Sequence, residues 1–316
     1  MTRIPVILDG DPGHDDAIAW VFAKAYEDLF DIRAVVSVSG NQTIDKTTWN
    51  ARRIATLLGI DAPVAKGAVK PLLEPVMTAG NWHGESGLDG PVMPEPDQPL
   101  FEGTGVELMA KVLRESEEPV TIISTGPLTN VAQLLMLYPE LKEKIGQISI
   151  MGGGITYGNW TMAAEFNIVE DPEAAWLVFH SGIRLFVSAL NVTEQALIRP
   201  EDIPRIKAVG NQVAQVTGEW VEFFIQYPMA IGYEGAPVHD PCAVLMLAKP
   251  DLFKTKDLYV DIELEGEYTR GMTVADFRSW GEHEPNCTCA MEIDQKRYID
   301  LLCEALHAYD GRVVNL

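Results

Sequence analysis

The chain has no apolar run of about 18 residues, the length a membrane-spanning helix requires. No span is therefore expected anywhere in its 316 residues. Basic charge is short as well: 24 Lys and Arg face 46 Asp and Glu, a formal net charge of −22. Phosphate backbones and anionic lipid surfaces both need a basic footprint, so nucleic acid and membrane are excluded as partners. Cysteine is scarce, at four residues: Cys242, Cys287, Cys289 and Cys303. Cys287 and Cys289 form a C-x-C, without the usual C-x-x-C zinc spacing, and on a strand their thiols point the same way. Reduced, partly buried thiols are expected, with no disulfide and no zinc. The N-terminus has no apolar leader of the signal-peptide type, which points to a cytoplasmic location. Internal repeats, low-complexity tracts and linkers are missing too, so residues 1–316 are read as one domain.

What is present is alternation. Strands are predicted at Ile4–Leu8, Ile32–Val38, Val120–Ser124, Gln147–Met151, Ile183–Ala189, Leu258–Leu264 and Ala290–Ile293. Helices are predicted at Asp15–Asp28, Asp45–Leu58, Gly105–Glu115, Leu128–Leu137, Pro172–His180, Asn211–Gln226 and from the last strand to Ala308. Asp171 and Pro172 read as the N-cap and first helical residue of one of them. Strand–helix alternation of this kind predicts an α/β fold, an open, mainly parallel, doubly wound (Rossmann-like) sheet. Residues 70–101 and 226–241 break the rhythm with Pro and Gly, and long loops of this sort are often functional.

Ligands of open α/β sheets bind outside the carboxyl ends of the strands. Polar residues follow the predicted strand ends here. Asp9, Asp11, Asp15 and Asp16 come after the first strand, Asn41 after the second and Thr125 after the third. A Gly152-Gly-Gly run follows Met151, ahead of Asn159, Glu165 and Asn167. A single Asp in such a place is usually a helix cap or a solvated loop residue. Four carboxylates within eight positions, with no Lys or Arg among them, need compensation, and a hard divalent cation is the simplest. All-oxygen ligands favour Ca²⁺ or Mg²⁺ over zinc.

Several motifs together resemble the nucleoside hydrolases, the inosine–uridine-preferring group in particular. They are Asp9-Gly-Asp-Pro-Gly-His-Asp-Asp16, Ser39-Gly-Asn-Gln-Thr43, His83-Gly-Glu-Ser-Gly-Leu-Asp89 and Thr125-Gly-Pro-Leu-Thr-Asn130. Met151-Gly-Gly-Gly154, Ala164-Glu-Phe-Asn167, Asp171-Pro-Glu-Ala-Ala175 and His239-Asp-Pro241 continue the series along most of the chain. The resemblance implies hydrolysis of the N-glycosidic bond of inosine, uridine or cytidine to base and ribose, in nucleoside salvage, with one Ca²⁺ per subunit. It implies Asp11, Asp16, Asp240 and the Thr125 carbonyl as metal ligands. It implies Asp15, Asn41, Asn159, Glu165 and Asn167 as ribose-binding residues, with Met151 lining that site and His83 beside the base. Asp11 would be the general base and His239 the group that protonates the leaving base. A homodimer or homotetramer is the implied assembly. Trp82, Trp160, Phe166, Tyr227 and Tyr233 are candidates to stack on a base, and His14 is given no role.

One other enzyme class fits the first motif in part. Leu8-Asp-Gly-Asp11 at a strand end is similar to the D-x-D opening of haloacid-dehalogenase-type phosphatases, with Asp9 as nucleophile. Pro12 stands where that motif takes Thr or Val, and no matching downstream Lys is evident.

Overall fold

A computed structural model describes residues 3–316. Met1 and Thr2, part of the N-terminus read above as leaderless, lie outside the described residues. Ten strands build the main sheet: β1 (Ile4–Gly10), β2 (Phe30–Ser37), β3 (Val64–Lys66), β4 (Leu100–Thr104), β5 (Val120–Ser124), β6 (Ile145–Met151) and β7 (Leu185–Ser188), then β10 (Phe253–Ile262), β11 (Thr273–Asp276) and β12 (Cys287–Ile293). Two short strands, β8 (Leu197–Ile198) and β9 (Ala236–Pro237), pair separately. The main order is β11-β10-β12-β7-β6-β5-β1-β2-β3-β4. Pairing is parallel from β12 through to β4 and antiparallel only where β10 meets β12 and β11. The mainly parallel, doubly wound sheet expected from the alternation is the one found.

The local causes are visible in the residues. β1 reads Ile-Pro-Val-Ile-Leu-Asp-Gly and is buried from Pro5 onward, as a strand covered on both faces requires. Val6 and Leu8 enter one core cluster, with Trp20, Trp220 and Tyr298; Ile7 enters the other, with Met109, Val131 and Phe179. Helices start at identifiable caps. Asp171 accepts from the Ala174 N–H at 3.1 Å, the cap expected from sequence. Thr104 and Glu107 close a capping box at Gly105–Glu115.

Among the elements that sequence reasoning missed are three strands of the main sheet and one buried helix. β3 has three residues, too short for a period-2 signal. β4 and β11 are edge strands with little buried, one residue in β11 and none in β4, and β4 carries Gly103. The helix Pro241–Ala248 is apolar on every side and almost wholly buried, so it has no polar face to mark its period. Boundaries moved as well. The first helix ends at Ala25, not Asp28, and Asn211 is the cap of Gln212–Phe224. β12 begins at Cys287, which puts Cys287 and Cys289 on one face with their sulfurs 3.5 Å apart; all four cysteines are free. No helix among the described residues is long and apolar enough to cross a membrane.

The order reverses at β1. The chain runs from β1 to β2, β3 and β4 on one side, and from β5 to β6 and β7 on the other. The crevice between the carboxyl ends of β1 and β5 is the topological switch point, where open α/β sheets bind ligands.

Candidate active site

The acidic loop leaves β1 at that switch point. Its first carboxylate, Asp9, turns down into the protein. Ser124 donates to one oxygen at 3.0 Å and the Asn130 amide to the other at 2.7 Å. Asn130 also donates to the Ser37 carbonyl and accepts from the Ala68 N–H. Asp9 thus joins β1, β2 and β5 beneath the crevice, fully buried, and desolvation pushes its carboxyl up to about 7. A nucleophile needs an open face toward substrate. Asp9 has none, so the phosphatase alternative fails.

Asp11 lies at the turn. Its Oδ2 accepts from the Asn41 N–H at 2.6 Å, while its Oδ1 is buried with no partner. Gly40 and Gly126 pack against this carboxylate; a Cβ on Gly126 would sit 2.6 Å from Oδ1 and one on Gly40 would overlap Oδ2. Asp15 and Asp16 open the helix His14–Ala25, where free N–H groups and the helix dipole favour carboxylates. Asp16 accepts from the Gly13 N–H at 3.0 Å and from the Thr125 hydroxyl at 2.6 Å. Asp15 keeps a bare, buried Oδ1. Asp240 arrives from far along the chain, just ahead of the buried helix Pro241–Ala248.

Oxygens of Asp15, Asp16 and Asp240 lie within 4.8 Å of one another, all buried. Of the four groups implied as metal ligands, the structure gathers Asp16 and Asp240 in this cluster and joins Asp15 to them. Thr125 is tied to Asp16 through its side chain, and its carbonyl accepts from the Asn167 amide at 3.0 Å. Asp11 stands beside the cluster with its unpartnered Oδ1.

Burial raises these carboxyls, and repulsion from neighbouring carboxylates adds to it at Asp11, Asp15 and Asp240. Desolvation pushes Asp15 up to about 8 and Asp16 to about 6, and holds Asp11 and Asp240 well above the usual range. Between about pH 4 and about pH 8 the folded state therefore binds more protons than the unfolded chain, and stability falls as pH rises through that window. Chelator-treated protein should show a melting temperature that drops from pH 5 to pH 8. Excess divalent cation, which binds the ionised form, should reverse most of the drop. A melting temperature that climbs over this range without cation would contradict the cluster.

Above the cluster is a cleft lined by residues of two kinds. Asp15, Asn41, Thr125, Asn159, Glu165, Asn167 and Asp240 are polar, and Trp82, His83, Trp160, Phe166, Phe224 and His239 are rings; Met151 joins them. Every residue implied for ribose or base therefore borders this one cleft, and of the implied set only Asp11 and Asp16 lie beneath it. Several of the polar residues already have protein partners. Glu165 caps the helix Phe166–Glu170 and accepts from the N–H groups of Gly153, Asn167 and Ile168. The Asn41 amide donates to the Asp11 carbonyl and, at 3.4 Å, to Asp16. Asn167 donates to the Thr125 and Met151 carbonyls, and Asn159 accepts from the Phe166 N–H. His239 pairs its Nδ1 with the Thr193 hydroxyl at 2.8 Å, and burial pushes it down to about 4.

The aromatic candidates separate. Trp160 meets Phe166 edge-on at 4.9 Å, and both line the cleft. Tyr227 packs on Trp82, whereas Tyr233 donates to Glu194 outside the lining. Phe224 was not singled out from sequence; it comes from a distant helix and shows no motif.

The family model for inosine-uridine preferring nucleoside hydrolase matches residues 6–300. The chain belongs to this nucleoside hydrolase family. Pyrimidine-specific ribonucleoside hydrolases RihA from Salmonella newport and Escherichia coli are each 52% identical to it over 309 residues, covering 97% of this chain and 99% of theirs. Among solved structures, the purine-preferring ribonucleoside hydrolase from Gardnerella vaginalis superposes with a TM-score of 0.88 at 26% identity, covering 96% of this chain and 98% of that one. A plant nucleoside hydrolase gives 0.87 at 28%, over 97% and 100%. As a nucleoside hydrolase the protein is an enzyme acting on the N-glycosidic bond of ribonucleosides. Its buried acidic cluster is of the kind that holds a metal ion.

Proposed function

We propose that this nucleoside hydrolase is Ca²⁺-dependent and prefers pyrimidine ribonucleosides, that it serves salvage in the cytoplasm, and that it works as a homodimer or homotetramer. The observation that carries the site reading is the pair of bare buried oxygens, Asp11 Oδ1 and Asp15 Oδ1, in an acidic cluster under a cleft whose lining holds aromatic rings and no Lys or Arg. Buried carboxylates without partners call for a cation or a substrate hydroxyl. The donors are all oxygen, which suits a hard cation. Asp11, Asp16, Asp240 and the Thr125 carbonyl would hold it, with Asp15 alongside. When bound, it supplies Lewis acidity and a fixed point for the ribose diol.

The chain's own groups account for the remaining steps. Departure of the base from C1′ leaves an oxocarbenium-like sugar, and a carboxylate-rich wall without Lys or Arg stabilises that positive charge. Asp11, through Oδ1, accepts the proton of the attacking water. Asp15, Asn41, Asn159, Glu165 and Asn167, with Met151, hold the ribose, and His83 borders the base. His239 is neutral near pH 7. The Thr193 hydroxyl occupies its Nδ1, which leaves Nε2 as the nitrogen to assist departure of the base by hydrogen bonding or proton donation.

The pyrimidine preference rests on the identity with the RihA relatives. Reducing-sugar release from uridine, cytidine, inosine and adenosine tests it: the pyrimidine nucleosides should give the higher kcat/KM, and a purine-only profile would overturn it.

His239 gives a sharper expectation. Uracil is a poor anion to expel, whereas p-nitrophenolate leaves unaided. His239→Ala should slow uridine hydrolysis by about 10²-fold or more and p-nitrophenyl riboside hydrolysis much less. Equal losses on both substrates would make His239 a structural residue.

A further inference from the structure

His14 and His83 form a pair whose hydrogen bonds decide which nitrogen carries each proton. His14 opens its helix, yet its ring is fully buried. Its ring lies nearly parallel to those of Phe223 and Phe224, with centroids 5.3 and 5.5 Å away, and edge to edge with that of His83, at 5.3 Å and 17° between planes. Its Nε2 lies 2.7 Å from the Asp89 carbonyl oxygen, and its Nδ1 lies 3.0 Å from His83 Nδ1. A carbonyl only accepts, so His14 Nε2 carries a hydrogen. A neutral imidazole has one N–H, which leaves His14 Nδ1 as an acceptor. The hydrogen between the two rings then belongs to His83 Nδ1, and His83 Nε2 is bare.

One contact argues the other way. The His14 backbone N–H lies 3.3 Å from His83 Nδ1 and would favour a lone pair there. It is the longer contact. Satisfying it in a neutral pair would set the His14 Nε2 lone pair against a carbonyl oxygen at 2.7 Å. The shorter contact to an obligate acceptor decides the assignment.

His83 Nδ1 faces His14, so its Nε2 points away from His14 on a ring that lines the cleft, and no group among the described residues bonds it. We propose that His14 is a positioning residue: it fixes His83 as the Nδ1–H tautomer, so that Nε2 presents a hydrogen-bond acceptor to the base in the cleft. The matching ligand is a base with an N–H on its edge, such as uracil N3–H or the cytosine amino group. The inference rests on the function proposed above in taking the cleft, with His83 beside the base, as the nucleoside site.

Two-bond ¹H–¹⁵N correlation spectra of histidine-labelled wild-type protein test the assignment directly, with His83→Gln identifying the signals. His83 should show a protonated Nδ1 and a bare Nε2. In His14→Phe, which keeps a ring in the stack but removes the acceptor, His83 should change to Nε2–H. Wild-type kcat/KM for uridine should exceed that for 3-methyluridine, which lacks the N–H, by about 10²-fold or more, since an unpaired buried acceptor discriminates strongly. His14→Phe should bring that ratio toward one, with a smaller loss on p-nitrophenyl riboside, which has no base edge. A protonated His83 Nε2 or a doubly protonated His14 in the wild type would overturn the proposal, whether or not the variant folds. So would a uridine to 3-methyluridine ratio that His14→Phe leaves unchanged. The expected tautomers in a protein that releases no sugar from any ribonucleoside would instead overturn the functional reading.

Discussion

Uridine should be hydrolysed about 10⁴-fold or more faster, in kcat/KM, than 2′-deoxyuridine. The expectation comes from what a missing hydroxyl leaves behind. Asp15 is 6% exposed, its Oδ1 has no protein partner, and desolvation raises its carboxyl to about 8. A ribose hydroxyl donated to this oxygen satisfies a group that is otherwise stranded in a poorly solvated site. A site built around such a hydrogen bond rejects the analogue lacking it far more strongly than an apolar pocket rejects a missing methylene. Most neighbouring polar groups are already tied to the protein, as Glu165 is to three backbone N–H groups. Little is free to rearrange around the deoxy sugar. Comparable rates on the two nucleosides would mean that Asp15 does not meet the 2′-hydroxyl or that the sugar is not read at all.

Asp11→Asn should lower kcat by about 10²–10⁴-fold, the usual loss when a general base is removed. The substitution is nearly isosteric, and Asn41 N–H dictates its orientation. The amide oxygen takes the place of Oδ2 and keeps that bond, which puts the NH₂ group where Oδ1 was. A proton acceptor thereby becomes a donor at the position proposed to face the attacking water. Asp16, Asp240 and Asp15 keep their carboxylates, so any metal lost reports the ligand role of Asp11, and a fall in turnover beyond that loss reports the base. Metal analysis beside kinetics separates the two roles of Asp11. Turnover close to wild type would remove it as the base.

The sequence carried the parts of this account that depend on local pattern. A strand buried on both faces reads as a continuous apolar run, and polar residues right after such runs pointed to one rim of the sheet. It also carried the Asp171 cap, whose offset to Ala174 is fixed by helix geometry. Lost were elements whose pattern is erased by context: β3 by its length, β4 and β11 by their place at the edges, and Pro241–Ala248 by burial on all sides. In the site, residue type was legible while hydrogen-bond state was not. Asp9 and Asp11 are two positions apart, yet one is bound by Ser124 and Asn130 and the other has a bare oxygen. His14 drew no role from sequence, because its partners, His83 and Phe223, lie 69 and more positions away. Which carboxylates share one cluster was likewise set by packing, which carries Asp240 across to the loop after β1.

The central claim is that the buried acidic cluster holds one Ca²⁺ on which ribonucleoside hydrolysis depends. The most direct measurement is calcium titration of chelator-treated protein by calorimetry, with uridine hydrolysis followed on the same samples. The account predicts no sugar release from the stripped protein, binding of one Ca²⁺ per chain, and recovery of activity in step with that binding. Full activity in protein shown by elemental analysis to carry no metal, or calcium binding that leaves hydrolysis unchanged, would contradict it.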